Sequence, residues 1–231
     1  MNKFKTTVKK IKVFGVYNSF IFIFFCALFV IAAFSSCSQN APEINEVNYS
    51  VIFEYATPED EPLSRLSVFV QSASDVRRCD RIVVESLDTG FIWDIDEVLC
   101  TEFEQIQWCG NTNLVVPEGR KIPKGDYKVT LYNADEKEAC VYLALDYDED
   151  FYSLKKDEAQ KKLNTMHADK NVAVYDKQGI ILYYGSRSDE LKTNRDIWNR
   201  FSTAQTYKDV WCTPGRFLMC IMPEENINNK E

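Results

Sequence analysis

The stretch I-P-K-G-D-Y-K-V-T-L-Y, which runs from Ile122 to Tyr132, carries the clearest signal of the fold class. It begins with two residues that favour a tight turn: Pro123, whose ring fixes φ, and Gly125, which adopts positive φ without strain. Residues 127–132 then form a short run rich in aromatic and β-branched side chains, which is typical of a strand. A turn that leads directly into such a run predicts β-structure here.

The same pattern extends in both directions over residues 46–146. Its clearest alternation lies near the start, where five apolar side chains would share one face of a strand: Val47, Tyr49, Val51, Phe53 and Tyr55. Further strands are predicted at 66–71, 81–86, 90–94, 113–116, 127–132 and 139–145. This density of short strands indicates a β-sandwich.

The motif P-x-G-x-Y at 123–127 resembles the start of a late strand in immunoglobulin-like and transthyretin-like domains. The resemblance implies that Tyr127 forms a tyrosine corner, in which its hydroxyl bonds back to the preceding loop. It also implies that the antibody-type inter-sheet disulfide is absent, because Val129 stands where antibody domains place their second core cysteine. The spacing from Cys79 to Trp93 is similar to that between strands B and C of those domains. A hairpin in another β-fold is the alternative.

After Asp146 the pattern changes, and residues 147–223 predict a small α+β region. Apolar side chains at helical spacing and a capping-box-like start at Ser186 predict two helices, while D-K-Q-G between two apolar runs predicts a hairpin with Gly179 at positive φ. The predicted elements are a helix at 151–166, strands at 172–175 and 180–184, a helix from 186 to about 205 and a strand at 216–222.

The predicted fold class is therefore mainly β, with an N-terminal immunoglobulin-like β-sandwich at 46–146 followed by a small α+β C-terminal region. Residues 224–231 are polar, and we expect them to form a disordered tail.

The amino terminus combines a basic stretch with a short apolar segment. Five lysines precede position 13, and residues 20–34 (F-I-F-I-F-F-C-A-L-F-V-I-A-A-F) carry no charge. This segment is shorter than the roughly 20 residues that a membrane-spanning helix needs. A basic region, a short apolar region and small residues before a cleavage point together predict a secretory signal peptide at 1–36.

The sequence F-S-S-C at 34–37 resembles the lipobox of bacterial lipoproteins, although that family usually has leucine where Phe34 stands. The resemblance implies cleavage before Cys37, acylation of its thiol with palmitate-type chains, and a lipidated tether at 37–45. It also implies a place in the bacterial cell envelope, with the outer membrane favoured because no acidic residue follows Cys37 directly. The periplasmic and surface faces stay open, and so do an ordinary cleaved signal and an uncleaved anchor at 13–34.

The charge of the mature chain limits its partners. Removing the five leader lysines from 27 basic residues leaves 22 against 35 acidic ones, a net charge of −13. Such a surface repels phosphate backbones, so we expect no nucleic acid partner. It also repels anionic lipids, so the contact with the membrane would come from the lipid anchor. An envelope protein or a glycan is the remaining kind of partner.

An even number of cysteines in an exported chain predicts disulfides. The mature chain has six: Cys79, Cys100, Cys109, Cys140, Cys212 and Cys220. The two closest spacings, Cys100 to Cys109 and Cys212 to Cys220, suit local bridges, although the sequence alone does not choose among the connectivities. The chain has no C-x-x-C motif and a single histidine, so we expect no metal site and no cofactor.

High aromatic content, 13% of residues, suggests a surface for stacking sugars or docking a protein. The candidate platform consists of Trp93, Trp198, Trp211, Tyr183 and Tyr184, with core packing as the alternative.

Acidic residues offer two further hypotheses. Asp94, Asp96 and Glu97 could supply paired carboxylates for glycoside hydrolysis. The aspartates between 146 and 157 mimic a calcium loop, but Phe151 stands where that loop needs glycine, and a solvated linker is the alternative.

No catalytic residue is assigned, because a serine or cysteine triad lacks its usual base and nucleophile turn. The sequence therefore predicts a lipid-anchored envelope protein that acts as a non-catalytic binding or structural module. A carboxylate-based, glycan-directed envelope hydrolase is the alternative.

Overall fold

The computed structural model describes residues 41–72, 75–103 and 105–227. The predicted signal peptide and the lipidation site Cys37 lie outside these residues. The described part contains thirteen strands and two α-helices, so the predicted class, mainly β, is confirmed. Within it, neither helix has the length and apolar character that crossing a membrane requires.

The larger sheet contains nine of the described strands. They are β1 (Ile44–Glu54), β2 (Leu63–Ser72), β5 (Leu99–Phe103), β6 (Ile106–Leu114), β9 (Asp169–Asp176), β10 (Ile181–Ser186), β11 (Ala204–Cys212), β12 (Leu218–Ile221) and β13 (Glu225–Asn226). Their spatial order is β10-β9-β11-β12-β1-β2-β6-β5, and β13 pairs with β11. The sequence pattern missed β5, β11 and β13, and its predicted strand at 113–116 overlaps only the end of β6.

The smaller sheet has the order β4-β3-β7-β8. Its strands are β3 (Cys79–Ser86), β4 (Ile92–Ile95), β7 (Gly125–Asn133) and β8 (Glu138–Leu145). All of its pairs are antiparallel. Strands β4 and β8 form its two edges.

Buried side chains from both sheets form the inter-sheet core, which makes the arrangement a β-sandwich. The larger sheet contributes residues of β1, β2 and β6, and the smaller sheet contributes residues of β3, β4 and β7. All five side chains predicted to share a face of β1 pack in or against this core, so that alternation is confirmed. The largest fully buried side chains here include Tyr55, Tyr127, Phe53 and Phe151.

The turn before β7 has the predicted hydrogen bond. The Tyr127 hydroxyl donates to the carbonyl oxygen of Pro123 at 2.6 Å, and burial raises the pKa of Tyr127. Gly125 has φ of +115°, and a Cβ atom at this position would lie 1.8 Å from Oδ2 of Asp88. Glycine is therefore favoured here by its backbone conformation, and any larger residue would also have to displace the exposed carboxylate of Asp88.

Strands from the C-terminal region extend the larger sheet instead of forming a separate one. Strand β12 lies parallel to β1, with Val51 opposite Leu218 and Phe53 opposite Cys220. Strand β11 continues the sheet antiparallel to β12. The boundary that the sequence places after Asp146 therefore does not divide the sheet.

The first helix, α1 (Lys156–Thr165), buries Ala159 and Leu163 against the inter-sheet core. It is shorter than the predicted helix at 151–166, because residues 149–152 form a separate 3-10 turn that the Asp148 side chain caps.

The second helix, α2 (Asn194–Arg200), begins later than the sequence predicts. Its capping box joins Thr193 and Asp196: the Thr193 hydroxyl accepts from the backbone N–H of Asp196 at 3.1 Å, and the Asp196 carboxylate accepts from that of Thr193 at 2.9 Å. The predicted start at Ser186 was wrong because Ser186 ends β10. The predicted end near residue 205 was wrong because β11 begins at Ala204.

A second group of buried side chains, the C-terminal core, lies between the larger sheet and the segment that contains α2. Its buried members are Val172, Val174, Leu191, Ile197, Ala204, Tyr207 and Ile227. The predicted hairpin is present as β9 and β10, and Gly179 in its turn has φ of +77°.

The predicted disordered tail is wrong for its first residues, since β13 pairs with β11 and Ile227 is buried in the C-terminal core. Residues 228–231 lie outside the described part of the chain.

Candidate functional site

The five side chains of the predicted aromatic platform do not share a surface. Trp93 is 8% exposed, its ring stacks on Tyr127 with centroids 6.3 Å apart, and its Nε1 donates to the carbonyl of Val115 at 2.7 Å. Trp211 is 7% exposed and belongs to the same inter-sheet core. Both tryptophans therefore pack in the core, which is the alternative that the sequence left open.

The other three members lie near the C-terminal core. Trp198 and Tyr183 pack against it, and the Tyr183 ring lies 5.5 Å from that of Phe201. Tyr184 points to the opposite face of β10, with its hydroxyl 3.9 Å from the sulfur of Cys212. Successive residues of a strand point to opposite faces, so Tyr183 and Tyr184 cannot form one platform. The platform prediction was wrong.

All six predicted disulfide cysteines are unpaired thiols in the structure. The predicted bridge between Cys212 and Cys220 was wrong for a reason of register: Trp211 lies opposite Cys220, and Cys212 lies opposite Met219. The two sulfurs therefore lie on different faces of the sheet. Cys140 is exposed on the edge strand β8.

Two of the remaining cysteines lie close together. Cys100 on β5 is directly opposite Cys109 on β6, which fits the predicted local spacing without a bond between them. Cys79, at the start of β3, packs against the inter-sheet core in which Cys109 is buried, and its sulfur lies 4.0 Å from the carbonyl oxygen of Arg81.

A groove runs between β4, the edge of the smaller sheet, and β6 of the larger sheet. This β4–β6 groove has a volume of about 580 Å³. Its polar side chains come from β4, from the residues that follow it and from β6; they are Asp94, Asp96, Glu97, Asn111 and Asn113. Apolar side chains, including those of Phe91, Ile92 and Val115, complete its lining.

The carboxylates of the β4–β6 groove stand on one wall, at the end of β4 and in the residues after it. Asp94 forms an ion pair with Arg81 at 3.4 Å. On the facing wall, Asn111 donates from Nδ2 to the carbonyl of Glu97 at 3.3 Å and so joins the two sides. All three carboxylates are exposed to solvent.

A second cavity of about 600 Å³ adjoins the groove and shares Phe91 and Val116 with it. Its charged lining is mostly basic: Arg120, Lys121, Lys124 and Glu149. The side chain of Lys121 is hydrogen-bonded to Glu149 at 2.8 Å, which raises the pKa of Lys121. Lys124 is paired as well, with Asp146, which leaves Arg120 as the basic side chain of this lining that forms no ion pair among the described residues.

The predicted calcium-loop aspartates bind lysines instead. Asp146 lies 2.6 Å from Nζ of Lys124, and Asp148 and Asp150 each lie 2.5 Å from Nζ of Lys162. Across residues 41–72, 75–103 and 105–227, no group of three or more His, Cys, Asp or Glu side chains is arranged to hold a metal ion.

Sequence reasoning identified one wall of the groove and missed the other. The carboxylates stood out as a short acidic run, but nothing near Asn111, Asn113 or Arg120 in the chain marks them as neighbours of that run. Only the packing of the two sheets brings the edge of β4 beside β6. No family model, curated protein or solved structure matches this chain.

Proposed function

We propose that the chain is a non-catalytic binding module of the bacterial cell envelope, held by a lipid at Cys37, that binds a glycan in the β4–β6 groove. The leader and the F-S-S-C sequence support the lipid anchor and the envelope location. The groove supports the binding role, because it combines polar side chains with an apolar lining at an open edge of the sandwich.

The position of the carboxylates favours binding over hydrolysis. Glycoside hydrolysis needs two carboxyl groups that flank the scissile bond, about 5 to 9.5 Å apart. Here Asp94, Asp96 and Glu97 lie within four residues of one another on one wall, and the facing wall contributes amides. This one-sided placement is the observation that carries the non-catalytic proposal.

The charges of the lining favour a glycan that contains amino groups. Asp96 and Glu97 are exposed carboxylates. Neither takes part in any ion pair among the described residues, in contrast to Asp94. An ammonium group of a ligand would therefore gain a charged partner at Asp96 and Glu97. Asn111 and Asn113 add hydrogen-bonding groups for hydroxyls, and the apolar lining suits the faces of sugar rings. Arg120, in the cavity beyond Phe91, would accept a carboxylate carried on the same ligand.

Calorimetric titration with glucosamine oligosaccharides tests the groove. We expect saturable binding that weakens at least fivefold with fully N-acetylated oligosaccharides, because acetylation removes the ammonium charge. The double variant Asp96→Asn, Glu97→Gln should lose most of the affinity. Asp60→Asn, Glu61→Gln is the matched control: it removes the same charges from an exposed loop between β1 and β2 and should bind as the wild type does.

Two outcomes would contradict the glycan proposal: equal weakening by both double variants, which would indicate only a general charge effect, or no binding of any oligosaccharide. Release of shortened products during the titration would instead favour the hydrolase alternative.

Metabolic labelling with a fatty acid tests the anchor separately. The wild-type chain should incorporate the label and remain with the membrane fraction, and Cys37→Ala should do neither. Cys140→Ala is the control, since it removes an exposed thiol outside the proposed lipobox. Equal labelling of wild type and Cys37→Ala would contradict the proposal.

A further inference from the structure

The turn between β5 and β6 exposes two large apolar side chains to solvent. Phe103 and Ile106 lie opposite one another on either side of this two-residue connection, and their exposed fractions are 65% and 39%. Both side chains point to the outer face of the larger sheet, because Cys109, three residues after Ile106, is buried on the inner face. We call Phe103 and Ile106 the β5–β6 tip.

Trp108 continues this apolar surface along β6. It follows Ile106 by two positions and therefore lies on the same face, about 6 to 7 Å further from the end of the sheet. Its side chain is half-buried, and its neighbours on the two adjacent strands, Thr101 and Gln71, are uncharged. An apolar end followed by a tryptophan suits the boundary between lipid chains and headgroups, where tryptophan is enriched.

The first strand begins at the same end of the larger sheet. Gln71 on β2 lies opposite Glu46 on one side and opposite Trp108 on the other. The start of β1 at Ile44 is therefore about level with the β5–β6 tip. Three strand spacings of about 4.8 Å separate β1 from β5, so the two lie about 14 Å apart across the sheet.

The chain between Cys37 and β1 is short. Cys37 precedes Ile44 by seven positions, and an extended chain spans at most about 3.6 Å per residue. A lipid on Cys37 would therefore lie within about 25 Å of the start of β1. The opposite end of β2, where Leu63 is 74% exposed, lies about 30 Å further along the strands. A bilayer that holds this lipid lies within reach of the β5–β6 tip.

We propose that the β5–β6 tip docks on the bilayer that holds the acylated Cys37, with Phe103 and Ile106 among the lipid chains and Trp108 at the level of the headgroups. The inference rests on the proposed lipid anchor and adds a second point of contact, which fixes the orientation of the sandwich. The short tether favours a bilayer over a second copy of the chain, because it brings lipid to the tip of every molecule.

Acidic residues at this end select the kind of lipid. Glu102 directly precedes Phe103, Glu43 and Glu46 lie at the start of β1, and all three are exposed. These carboxylates repel anionic headgroups. The tip should therefore dock on zwitterionic lipids, such as phosphatidylcholine and phosphatidylethanolamine.

Docking at the tip keeps the β4–β6 groove away from the bilayer. Asn113, on the wall that β6 contributes, follows Ile106 by seven positions, or about 23 Å along the strand. The groove would therefore stay open to water while the tip is inserted, and a glycan could reach it.

Quenching by brominated lipids tests the docking. The full-length chain carrying Phe103→Trp is expressed in a bacterium that processes lipoproteins, purified, and reconstituted in phosphatidylcholine vesicles with or without bromine on the lipid chains. The emission that the new tryptophan adds to the wild-type signal should fall by about half or more in the brominated vesicles, because bromine quenches at contact distance. Replacing half of the lipid with phosphatidylglycerol should weaken the quenching.

Leu63→Trp is the matched control, because it places a tryptophan at an exposed apolar position at the opposite end of β2. Its added emission should be the same in both kinds of vesicle. Equal quenching at positions 63 and 103, or none at 103, would overturn the docking inference. Absence of quenching at 103 together with a cross-linked dimer in the same vesicles would show that a second copy covers the tip.

Flotation of the vesicles separates this inference from the anchor proposal. A wild-type chain that does not float with the vesicles contradicts the anchor at Cys37, and the docking inference fails with it. A chain that floats but shows no quenching at position 103 contradicts the docking inference and leaves the anchor standing.

Discussion

The inter-sheet core and the C-terminal core bury apolar side chains in different ways. The first lies between two sheets, and at one end of it the ring of Phe53 packs edge to face on Tyr152 of the 3-10 turn, with centroids 5.0 Å apart. The second lies between one sheet and the segment around the short helix α2. The inter-sheet core requires only strands that each have one apolar face. The C-terminal core requires in addition that β12 pairs with β1, because this pairing extends the larger sheet into the C-terminal region.

Charged side chains also connect the two regions. Glu54 on β1 forms ion pairs with Arg65 on β2 at 2.5 Å and with Lys208 on β11 at 2.9 Å. On the other face of β11, Asp209 is buried and contacts Arg187 and Lys170, both within the C-terminal region. The pair of Glu54 with Lys208, together with the continuous sheet, predicts that the two regions unfold as one unit.

The largest effect should come from the inter-sheet core. Replacing fully buried Phe53 with alanine leaves a cavity next to Phe151 and Tyr152, and we expect a loss of about 3 to 5 kcal/mol in the free energy of unfolding. Denaturant titration followed by circular dichroism measures it. Tyr142→Ala is the control, because that ring is mostly exposed on β8 and its removal should cost less than about 0.5 kcal/mol.

Ile197→Ala makes the corresponding cavity in the C-terminal core, since Ile197 is fully buried beneath α2. We expect a smaller loss, about 2 to 3 kcal/mol, because α2 has only seven residues and can relax toward the gap. The transition should stay single when monitored both by tryptophan fluorescence and by far-ultraviolet circular dichroism. Separate midpoints for the two probes would show that the regions unfold independently.

Tyr127→Phe removes the hydrogen bond from the hydroxyl to Pro123 and leaves the ring in place. The expected cost is about 1 kcal/mol, because a partly buried carbonyl loses its partner. Tyr183→Phe is the matched control in the other region: its hydroxyl donates to the exposed carbonyl of Ser186 at 3.2 Å, which water can replace. Equal costs for both changes would contradict a special role for the turn before β7.

The smallest effect concerns the Glu54 ion pairs and depends on pH. Burial opposes ionisation of Glu54, but hydrogen bonds from Lys208 and Arg65 outweigh it and lower its pKa. A lowered pKa in the folded state stabilises the fold above the unfolded-state value of about 4.3, and this contribution disappears as pH falls through the folded-state pKa.

Glu54→Gln should therefore be less stable than the wild type at pH 7, and the difference should shrink as the pH approaches 3. Urea titrations at several pH values measure it. Glu46→Gln, an exposed position on the same strand, should track the wild type at every pH. If the difference in unfolding free energy between Glu54→Gln and the wild type is constant across this pH range, packing and not charge connects the two regions at Glu54.

Local patterns predicted much of the fold where the signal is contained in a few neighbouring residues. The alternation from Val47 to Tyr55 placed the correct face of β1 in the core, and P-x-G-x-Y placed the turn and the Tyr127 hydrogen bond. Strand β11 was missed because its apolar residues Ala204, Tyr207 and Val210 recur at every third position, which is closer to helical spacing than to strand alternation.

The candidate site was only half predictable. The acidic wall is a short run in the chain, but Asn111 and Asn113 join it only because β4 and β6 lie at the same open edge. The cysteines show the same limit: their spacing suited local bridges, yet strand register put Cys212 and Cys220 on opposite faces and left Cys100 opposite Cys109 without a bond.

The sequence by itself determined the predominance of strands, the turn at Gly125 and the inward face of β1, since each depends on side-chain type and period within a single element. Tertiary structure alone decided that β12 would pair with β1, which thiols would meet and which edges would form the groove. Those outcomes depend on pairing between residues far apart in the chain, where a shift of one residue in register reverses the face of every side chain.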